Sequence, residues 1–309
     1  MFYALNYPSY AFSHVNSHKT RKARLKPVLA IPSSSTVLHT DENGSGSSDS
    51  LVSQANTVGI LGGISANSSL NFLKKVVQWS TKDGQDCFPF VLCSDPVLNK
   101  KLLLHERESF PSLGRGNEHS QLDHTPIWEN LQRKRVFLEK SGAHCIVMPC
   151  HISHAWHDEI SNGSSVHLLH MGECVAKELK EAKLKPLEAG SPLRIGVLAT
   201  HATLNAGFYQ EKLQCEGFEV VLPDKATMEH AVIPAIEALN RRDMKGARNL
   251  LRIAVQVLLV RAVNTVILAS DDLCDLLPQD DPLLKKCIDP IDALARSTIK
   301  WAQAAGTGT

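Results

Sequence analysis

Short apolar runs alternate with amphipathic stretches from about residue 57 to the C-terminus. Residues 58–61, 145–148 and 265–268 are short, continuous apolar runs, a pattern that predicts buried parallel strands. Between such runs, residues 68–79 and 127–140 carry apolar side chains on one face and predict helices. Strands that alternate with helices predict an α/β fold in which helices flank parallel sheets.

The pattern restarts after residue 192, which predicts an internal repeat. Residues 58–61 (VGIL) resemble residues 195–198 (IGVL), and residues 143–150 resemble residues 263–270. Each half therefore ends a later strand at a small polar side chain, Cys150 or Ser270. We expect two pseudo-symmetric domains with an active-site cleft between them. The first spans residues 57–165, with the terminal helix 290–303 packing back on it, and the second spans residues 166–289.

Residues 1–56 differ in composition from the rest of the chain. No acidic residue precedes Asp41, whereas five lysines and arginines lie between residues 19 and 26 and serines are frequent. An acid-poor, Arg- and Ser-rich N-terminus is typical of an organelle transit peptide, and residues 41–53 read as a Gly/Ser/acidic linker. We expect a disordered transit peptide and linker that direct the protein to the chloroplast. A mitochondrial address, a cytoplasmic location or a tail without an address are the alternatives.

Charge and cysteine content exclude several classes of partner. The net charge is +1 and no basic stripe is interleaved with aromatic residues, so a nucleic-acid partner is not expected. No apolar run approaches the roughly 18 residues that a membrane helix needs. The eight cysteines form no CxxC pair, which favours reduced thiols in an intracellular enzyme over a disulfide framework.

Cys150 lies where a predicted strand stops. The apolar run 145–148 ends at Pro149, and open α/β folds bind ligands at the carboxyl ends of their strands. Cys150 could be a base or nucleophile, a metal ligand or a small buried residue. Its spacing to Cys145, His151 and His154 is not that of a structural zinc motif, so no metal is expected. Residues 59–63 do not form the dinucleotide fingerprint, and no cofactor is expected either.

Four motifs together resemble the aspartate/glutamate (Asp/Glu/hydantoin) racemase superfamily. They are the turn Gly62-Gly63, the segment Pro149-Cys150-His151-Ile152-Ser153-His154, the turn 200–203 (THAT) followed by Gly207-Phe208-Tyr209, and Asp289-Pro290 before the last helix. The resemblance runs from about Val58 to Trp301. It implies a two-domain α/β architecture, a homodimer, and racemisation of an amino acid without PLP or metal.

The resemblance also implies roles for individual residues. Family members remove the α-proton on one face and return it on the other with two cysteines, one from each half. The catalytic positions carried over are Cys150, Ser270, Asp272 and His154. His154 would orient the thiolate or stabilise its charge. The substrate-binding positions carried over are Gly63, Ser65, Ser68, His151, Ser153, Thr200, His201, Thr203, Arg241 and Asp271.

Two departures from the family pattern leave the reaction open. Ser270, in the segment Ala269-Ser270-Asp271-Asp272, replaces the second cysteine, and a hydroxyl is a poor acid or base unless Asp271 or Asp272 activates it. His151-Ile152 stands where the family favours Asn-Thr. The main hypothesis is an isomerase of amino-acid metabolism, a racemase of aspartate, glutamate or a related acidic compound. The alternatives are a one-base decarboxylase or isomerase of a small diacid, and an inactive homologue that binds a metabolite.

Overall fold

The computed structural model describes residues 54–82, 84, 87–109, 123–187 and 190–306. Apart from its last three residues, the predicted transit peptide and linker, residues 1–56, lies outside the described residues. The predicted chloroplast address therefore stays a prediction. None of the described helices combines the length and the apolar character needed to cross a membrane.

Two four-stranded parallel sheets carry the fold. Their strand orders are β2-β1-β3-β4 and β6-β5-β7-β8, so each half repeats the same topology. The strands are β1 (Val58–Leu61), β2 (Phe90–Cys93), β3 (Cys145–Val147), β4 (His167–Leu169), β5 (Arg194–Ala199), β6 (Glu219–Val221), β7 (Thr265–Ala269) and β8 (Cys287–Ile288). These parallel sheets and their flanking helices confirm the predicted α/β fold class.

Helices connect and cover the strands. The α-helices are α1 (Ala66–Lys82), α2 (Pro96–Glu108), α3 (Thr125–Lys140), α4 (His157–Ser161), α5 (Met171–Glu181), α6 (His201–Ala206), α7 (Phe208–Cys215), α8 (Lys225–Thr227), α9 (Ile233–Asn240), α10 (Met244–Val260), α11 (Asp271–Cys274) and α12 (Pro290–Gly306). Ile152–Trp156 and Pro282–Lys286 form 3₁₀ turns, and Met228–Val232 forms a π-helical turn.

Equivalent glycines show how closely the two halves match. A Cβ added to Gly59 of β1, or to Gly196 of β5, would come within 3.3 Å of three neighbours that occupy the same repeat positions. Those neighbours are Leu138, Ala143 and Ile146 around Gly59, and Leu258, Val263 and Val266 around Gly196. The same helix therefore approaches the same central strand in both halves, which confirms the predicted repeat.

The strand register places Cys150 and Ser270 at equivalent positions. The two ladders pair equivalent residues: Gly59 of β1 with Ile146 of β3, and Gly196 of β5 with Val266 of β7. Cys150 follows Ile146 by four residues, and Ser270 follows Val266 by four residues. Both side chains consequently lie just beyond the carboxyl end of a central strand.

Strand β4 belongs to the first sheet. It pairs with β3 through Cys145 and His167, although residues 166 onward were assigned to the second domain. The restart of the hydrophobic pattern lies near residue 195, and β4 precedes that restart as the edge strand of the first half. The predicted boundary between residues 165 and 166 therefore separates β4 from its own sheet. The terminal helix α12 packs against both α1 and α5.

Helix α2 is not among the helices that the hydrophobic pattern predicts. The sequence nevertheless carries its start signal, because Asp95 Oδ1 accepts a hydrogen bond of 2.8 Å from the Val97 N–H and Pro96 follows directly. Leu98, Leu102 and Glu106 then repeat every fourth residue on the buried face. Because residues 105–108 of the last turn are all polar, the apolar periodicity of this helix is short and does not by itself indicate a helix.

A buried ion pair fastens α1 to the start of α12. Lys75 Nζ lies 2.7 Å from Asp289 Oδ2 and 3.3 Å from Asp292 Oδ2, and Trp79 Nε1 donates to Asp292 Oδ1 at 2.8 Å. Burial lowers the pKa of Lys75, but the charge and hydrogen bond of Asp289 outweigh this and raise it above its ordinary value. The lysine is therefore charged at neutral pH and balances two carboxylates.

Replacing this lysine should destabilise the fold strongly. Lys75→Ala leaves two partly buried carboxylates unpaired, and we expect the free energy of unfolding to fall by about 3 kcal/mol. Urea unfolding followed by circular dichroism measures this loss. Lys74→Ala, which removes an exposed lysine from the same helix, is the matched control and should change stability by less than about 0.5 kcal/mol. Equal effects of the two substitutions would contradict this role of Lys75.

Candidate active site

Cys150 lies buried beneath the turn after β1. Its side chain is 1% exposed, and the Ile64 backbone N–H donates to its Sγ at 3.2 Å. A Cβ built on Gly63 would overlap the Cys150 side chain and lie 3.1 Å from Ser153 Oγ. A glycine is therefore required at position 63 because the thiol approaches the backbone there, which explains the Gly-Gly turn.

The Cys150 thiol holds its proton firmly. Burial raises its pKa to about 12, and the charge of Asp271 adds to the rise. Hydrogen bonds from Ser153 and from the Ile64 N–H act in the opposite direction, because they stabilise the thiolate. At neutral pH the group is a thiol, with donors already in place for the thiolate.

Asp271 brings a carboxyl from the other half into contact with the first. Ser68 of α1 donates to Asp271 Oδ2 at 2.7 Å, a bond that joins the first turns of α1 and α11. Burial raises the pKa of Asp271 to about 7, with a smaller contribution from the charge of Asp289, although the Ser68 hydrogen bond opposes the rise. The carboxyl therefore titrates near neutral pH, the range that suits proton transfer.

His151 lies between Asp271 and Tyr209. Its Nδ1 lies 2.9 Å from the Tyr209 hydroxyl, which in turn donates to Met171 Sδ at 3.0 Å. On the other side of the ring, Nε2 lies 3.7 Å from Asp271 Oδ1, too far for a hydrogen bond. Burial lowers the pKa of His151 to about 4, so the imidazole is neutral.

Ser270 serves as a helix cap. Its Oγ accepts a hydrogen bond of 3.3 Å from the Asp272 N–H and caps α11. Burial raises the pKa of Asp272 to about 6, and the neighbouring charge of Asp271 adds to this. At this strand end, the groups that titrate near neutral pH are thus the two carboxyls.

A third carboxyl, Glu106, joins this group from α2. It is only 8% exposed, and burial raises its pKa to about 7. A hydrogen bond with the Thr200 side chain lowers the pKa, whereas the charges of Asp272 and Asp271 raise it. Glu106 was missed because α2 was missed. The available signal was a glutamate that follows Leu98 and Leu102 at helical spacing.

The other predicted binding residues are mostly capping groups. Ser65 Oγ lies 3.2 Å from Ser68 Oγ and accepts from the Ser68 N–H at 3.3 Å. Thr200 Oγ1 caps α6 by accepting from the Thr203 N–H at 3.5 Å. His201 is the first residue of α6, and its pKa is lowered by burial. These side chains surround the two turns where the strands end.

Two predicted residues lie away from the thiol and the carboxyls. Arg241 ends α9 with a side chain that is 67% exposed, and its partner is Glu237 at 3.7 Å. His154 Nε2 lies 2.9 Å from the Met148 carbonyl oxygen, and its ring packs against His157 and His170. The geometry thus gives neither a substrate-binding contact for Arg241 nor a thiolate contact for His154.

The remaining buried cysteines near the site make structural contacts. Cys274 Sγ donates to the Leu268 carbonyl at 3.0 Å, so the helical turn after Ser270 directs this thiol to the backbone of β7. Cys145 lies within β3. Among the residues that the structure describes, no group of three or more histidines, cysteines and carboxylates is arranged to hold a metal ion.

The fold and these side chains define a class of protein. Two equivalent parallel sheets present a thiol and a carboxyl at matching strand ends, which is an arrangement for acid/base chemistry between two halves. A family model described as Asp/Glu/Hydantoin racemase matches residues 61–298. The chain therefore belongs to the Asp/Glu/Hydantoin racemase family, and membership of a racemase family supports the predicted enzyme class, an isomerase.

Known proteins agree with this assignment. A broad-specificity amino-acid racemase of Bacillus subtilis (strain 168) is 25% identical over 245 residues, which cover 78% of this chain and 96% of the relative. An aspartate racemase homologue from Pyrococcus horikoshii OT3 has a TM-score of 0.64 at 20% identity, covering 80% of this chain and 99% of its own. The Picrophilus torridus aspartate racemase has a TM-score of 0.58 at 22% identity, covering 80% and 94%. At these identities the solved structures support the fold.

The raised pKa of Asp271 predicts a pH-dependent contribution to stability. Between about pH 4 and pH 7 the folded protein holds a proton on Asp271 that the unfolded chain releases, so this contribution grows as the pH falls. Asp271→Asn removes it and keeps an acceptor for Ser68. Relative to the wild type, we expect the variant to lose roughly 2 kcal/mol of stability on going from about pH 8 to about pH 5.

Urea unfolding at the two pH values measures this difference. The depressed pKa of His151 acts with the opposite sign, because the unfolded chain binds its proton below about pH 6.5, but it contributes to both proteins and cancels. Asp275→Asn, at an exposed position beside α11, is the control. Parallel pH profiles for wild type and Asp271→Asn would show that Asp271 titrates normally.

Proposed function

We propose that the protein is a cofactor-independent amino-acid racemase in which Cys150 and Asp271 transfer the α-proton. The observation that carries this proposal is the pairing of a buried thiol with a partly buried carboxyl from the opposite half, whose charge raises the pKa of the thiol. Asp271 takes this role instead of its neighbour Ser270, since a carboxyl with a pKa of about 7 is a far better acid or base at neutral pH than a hydroxyl.

When Asp271 is ionised, the two groups hold one proton between them. The charge of Asp271 keeps that proton on Cys150, so the reactive form of the pair is a carboxylate and a thiol. Asp271 then removes the α-proton from one face, and the thiol delivers its own proton to the other face. The reaction leaves a protonated Asp271 and a Cys150 thiolate, which is the arrangement needed to convert the opposite enantiomer.

Neighbouring groups support each state of the pair. The Ile64 N–H and the Ser153 hydroxyl favour the thiolate, and the Ser68 hydroxyl favours the carboxylate. The neutral His151 ring lies beside Asp271 and adds no charge there. Each half-reaction consequently ends on a group that already has a hydrogen-bond donor.

The presence of two titrating groups favours this proposal over its alternatives. A one-base decarboxylase or isomerase of a diacid needs only Cys150, and a binding homologue needs no group near its titration point. Neither explains a second proton-transfer group, the Asp271 carboxyl, whose pKa is about 7 and whose charge raises the pKa of the thiol. The acidic substrate expected from the resemblance needs a cation, and the predicted cation, Arg241, pairs with Glu237 on the surface.

Exchange of the α-hydrogen for solvent deuterium tests the two roles separately. In Cys150→Ser, inversion should fall by at least about a hundredfold, because one proton-transfer group is lost. Exchange should survive only from the enantiomer whose α-hydrogen faces Asp271. Asp271→Asn should show the opposite selectivity. The measurement is proton NMR of D- and L-amino acids in deuterium oxide, taken separately for each enantiomer.

Cys215→Ser is the matched control, since this cysteine is exposed. It should racemise at the wild-type rate. Full racemisation by both Cys150→Ser and Asp271→Asn would show that the two groups have been assigned wrongly. A wild-type protein that exchanges no amino acid of either configuration would contradict the proposed function itself.

A further inference from the structure

We propose that Glu106 and Asp272 bind the cationic side-chain group of the substrate, so that the preferred substrates are basic amino acids. This inference rests on the proposed function and adds the substrate class. It assigns a role to Glu106, a buried residue that the proton transfer does not use. A basic substrate is also opposite in charge to the acidic substrate that the family resemblance implies.

The first observation is that buried Glu106 and partly buried Asp271 and Asp272 have no basic partner among the described residues. Within the described part of the chain, no lysine or arginine pairs with Glu106, Asp271 or Asp272, and the charges acting on them come from other carboxyls. The nearby partly buried lysine, Lys75, is already engaged by Asp289 and Asp292. Buried carboxyls normally acquire a cation or a proton, and no lysine or arginine of the described residues supplies the cation for these three.

The second observation is an unsatisfied polar pair beside these carboxyls. His151 is only 3% exposed, yet its Nε2 has no hydrogen-bond partner among the described residues. The atom it faces, Asp271 Oδ1 at 3.7 Å, also lacks one. Because the Tyr209 hydroxyl donates to Met171, the neutral His151 ring donates from Nδ1, and its Nε2 is an acceptor like Asp271 Oδ1. Two buried acceptors that face each other across a gap point to a ligand that donates hydrogen bonds there, and an ammonium group is such a donor.

Counting charges then separates the substrate classes. The α-ammonium and α-carboxylate groups of any amino acid balance each other, which leaves Glu106 and Asp272 without a counter-charge. An acidic amino acid would bring a second carboxylate next to them, and a neutral side chain would leave both dependent on protons. A basic side chain supplies the missing positive charge. The contact of Glu106 with Thr200 holds the carboxyl in place at the start of α6.

The experiment compares lysine with norleucine, which has the same carbon chain but lacks the terminal ammonium group. The full chain is assayed for α-deuterium exchange and racemisation with both enantiomers of lysine, ornithine, norleucine and glutamate. Isothermal titration calorimetry measures the binding of lysine and of norleucine. We expect kcat/KM for lysine to exceed that for norleucine by about tenfold or more, with glutamate lower still.

Substitutions locate the source of the preference. Glu106→Gln and Asp272→Asn should each reduce the lysine-to-norleucine ratio of kcat/KM by about tenfold. Glu108→Gln, which changes an exposed glutamate on the same helix, should leave the ratio unchanged. Circular dichroism confirms folding, and the second variant serves if the first does not fold. The ratio cancels any general loss of activity.

The outcomes distinguish this inference from the proposed function. Turnover of glutamate or norleucine at least as fast as lysine, with a ratio insensitive to Glu106→Gln, overturns the basic-substrate inference and leaves the racemase proposal intact. If no amino acid is turned over, the racemase proposal fails, and calorimetry decides the inference. Tighter binding of lysine than norleucine that is lost in Glu106→Gln supports it, and equal or absent binding overturns it.

Discussion

The partly buried Asp271 carboxyl beside the buried Cys150 thiol is the interaction on which the rest of the site depends. A carboxylate in this position makes the thiolate unfavourable, and the burial of both groups makes their charges strongly felt. When Asp271 is ionised, the proton of the pair therefore rests on the thiol, whose pKa is about 12, and not on the carboxyl, whose pKa is about 7. Ser68 donates to the carboxyl and the Ile64 N–H donates to the sulfur, so each group has a hydrogen-bond donor for its ionised form. Without burial, both groups would titrate normally and the thiol and carboxyl would act independently.

The doubled fold supplies this pair through backbone register. Because β1–β3 and β5–β7 pair in the same register, a residue four positions beyond the equivalent strand residue arrives at the same height in each half. Gly63 then allows the backbone to approach Cys150, and Ser68 reaches across to Asp271. The two halves are identical in topology but not in chemistry. One half places a thiol at the strand end, whereas the other places a capping serine followed by two carboxyls.

Local sequence patterns could predict the strands, the repeat and the position of Cys150, because each depends on residues close in the chain. Contacts between distant segments could not be predicted in the same way. The resemblance implies that Arg241 binds substrate, but the end of α9 turns this side chain toward Glu237 and solvent. His154 follows Cys150 closely, yet the 3₁₀ turn Ile152–Trp156 directs its ring to the Met148 carbonyl. The position of Glu106 depends on helix α2, whose last turn is polar and shows little apolar periodicity. Its raised pKa depends in part on two aspartates that are distant in the sequence.

The serine at position 270 now has a physical explanation. A cysteine there would share the site with Asp271 and Asp272, and two adjacent carboxylates would oppose its ionisation. A serine avoids that conflict, caps α11 with its hydroxyl, and leaves proton transfer to a carboxyl that titrates in the useful range. The change from thiol to carboxyl also concentrates negative charge in this half. In the mechanism and the substrate class proposed above, the segment 270–272 therefore supplies both the second proton-transfer group and a carboxyl for a positively charged substrate, so reaction and specificity depend on one short segment.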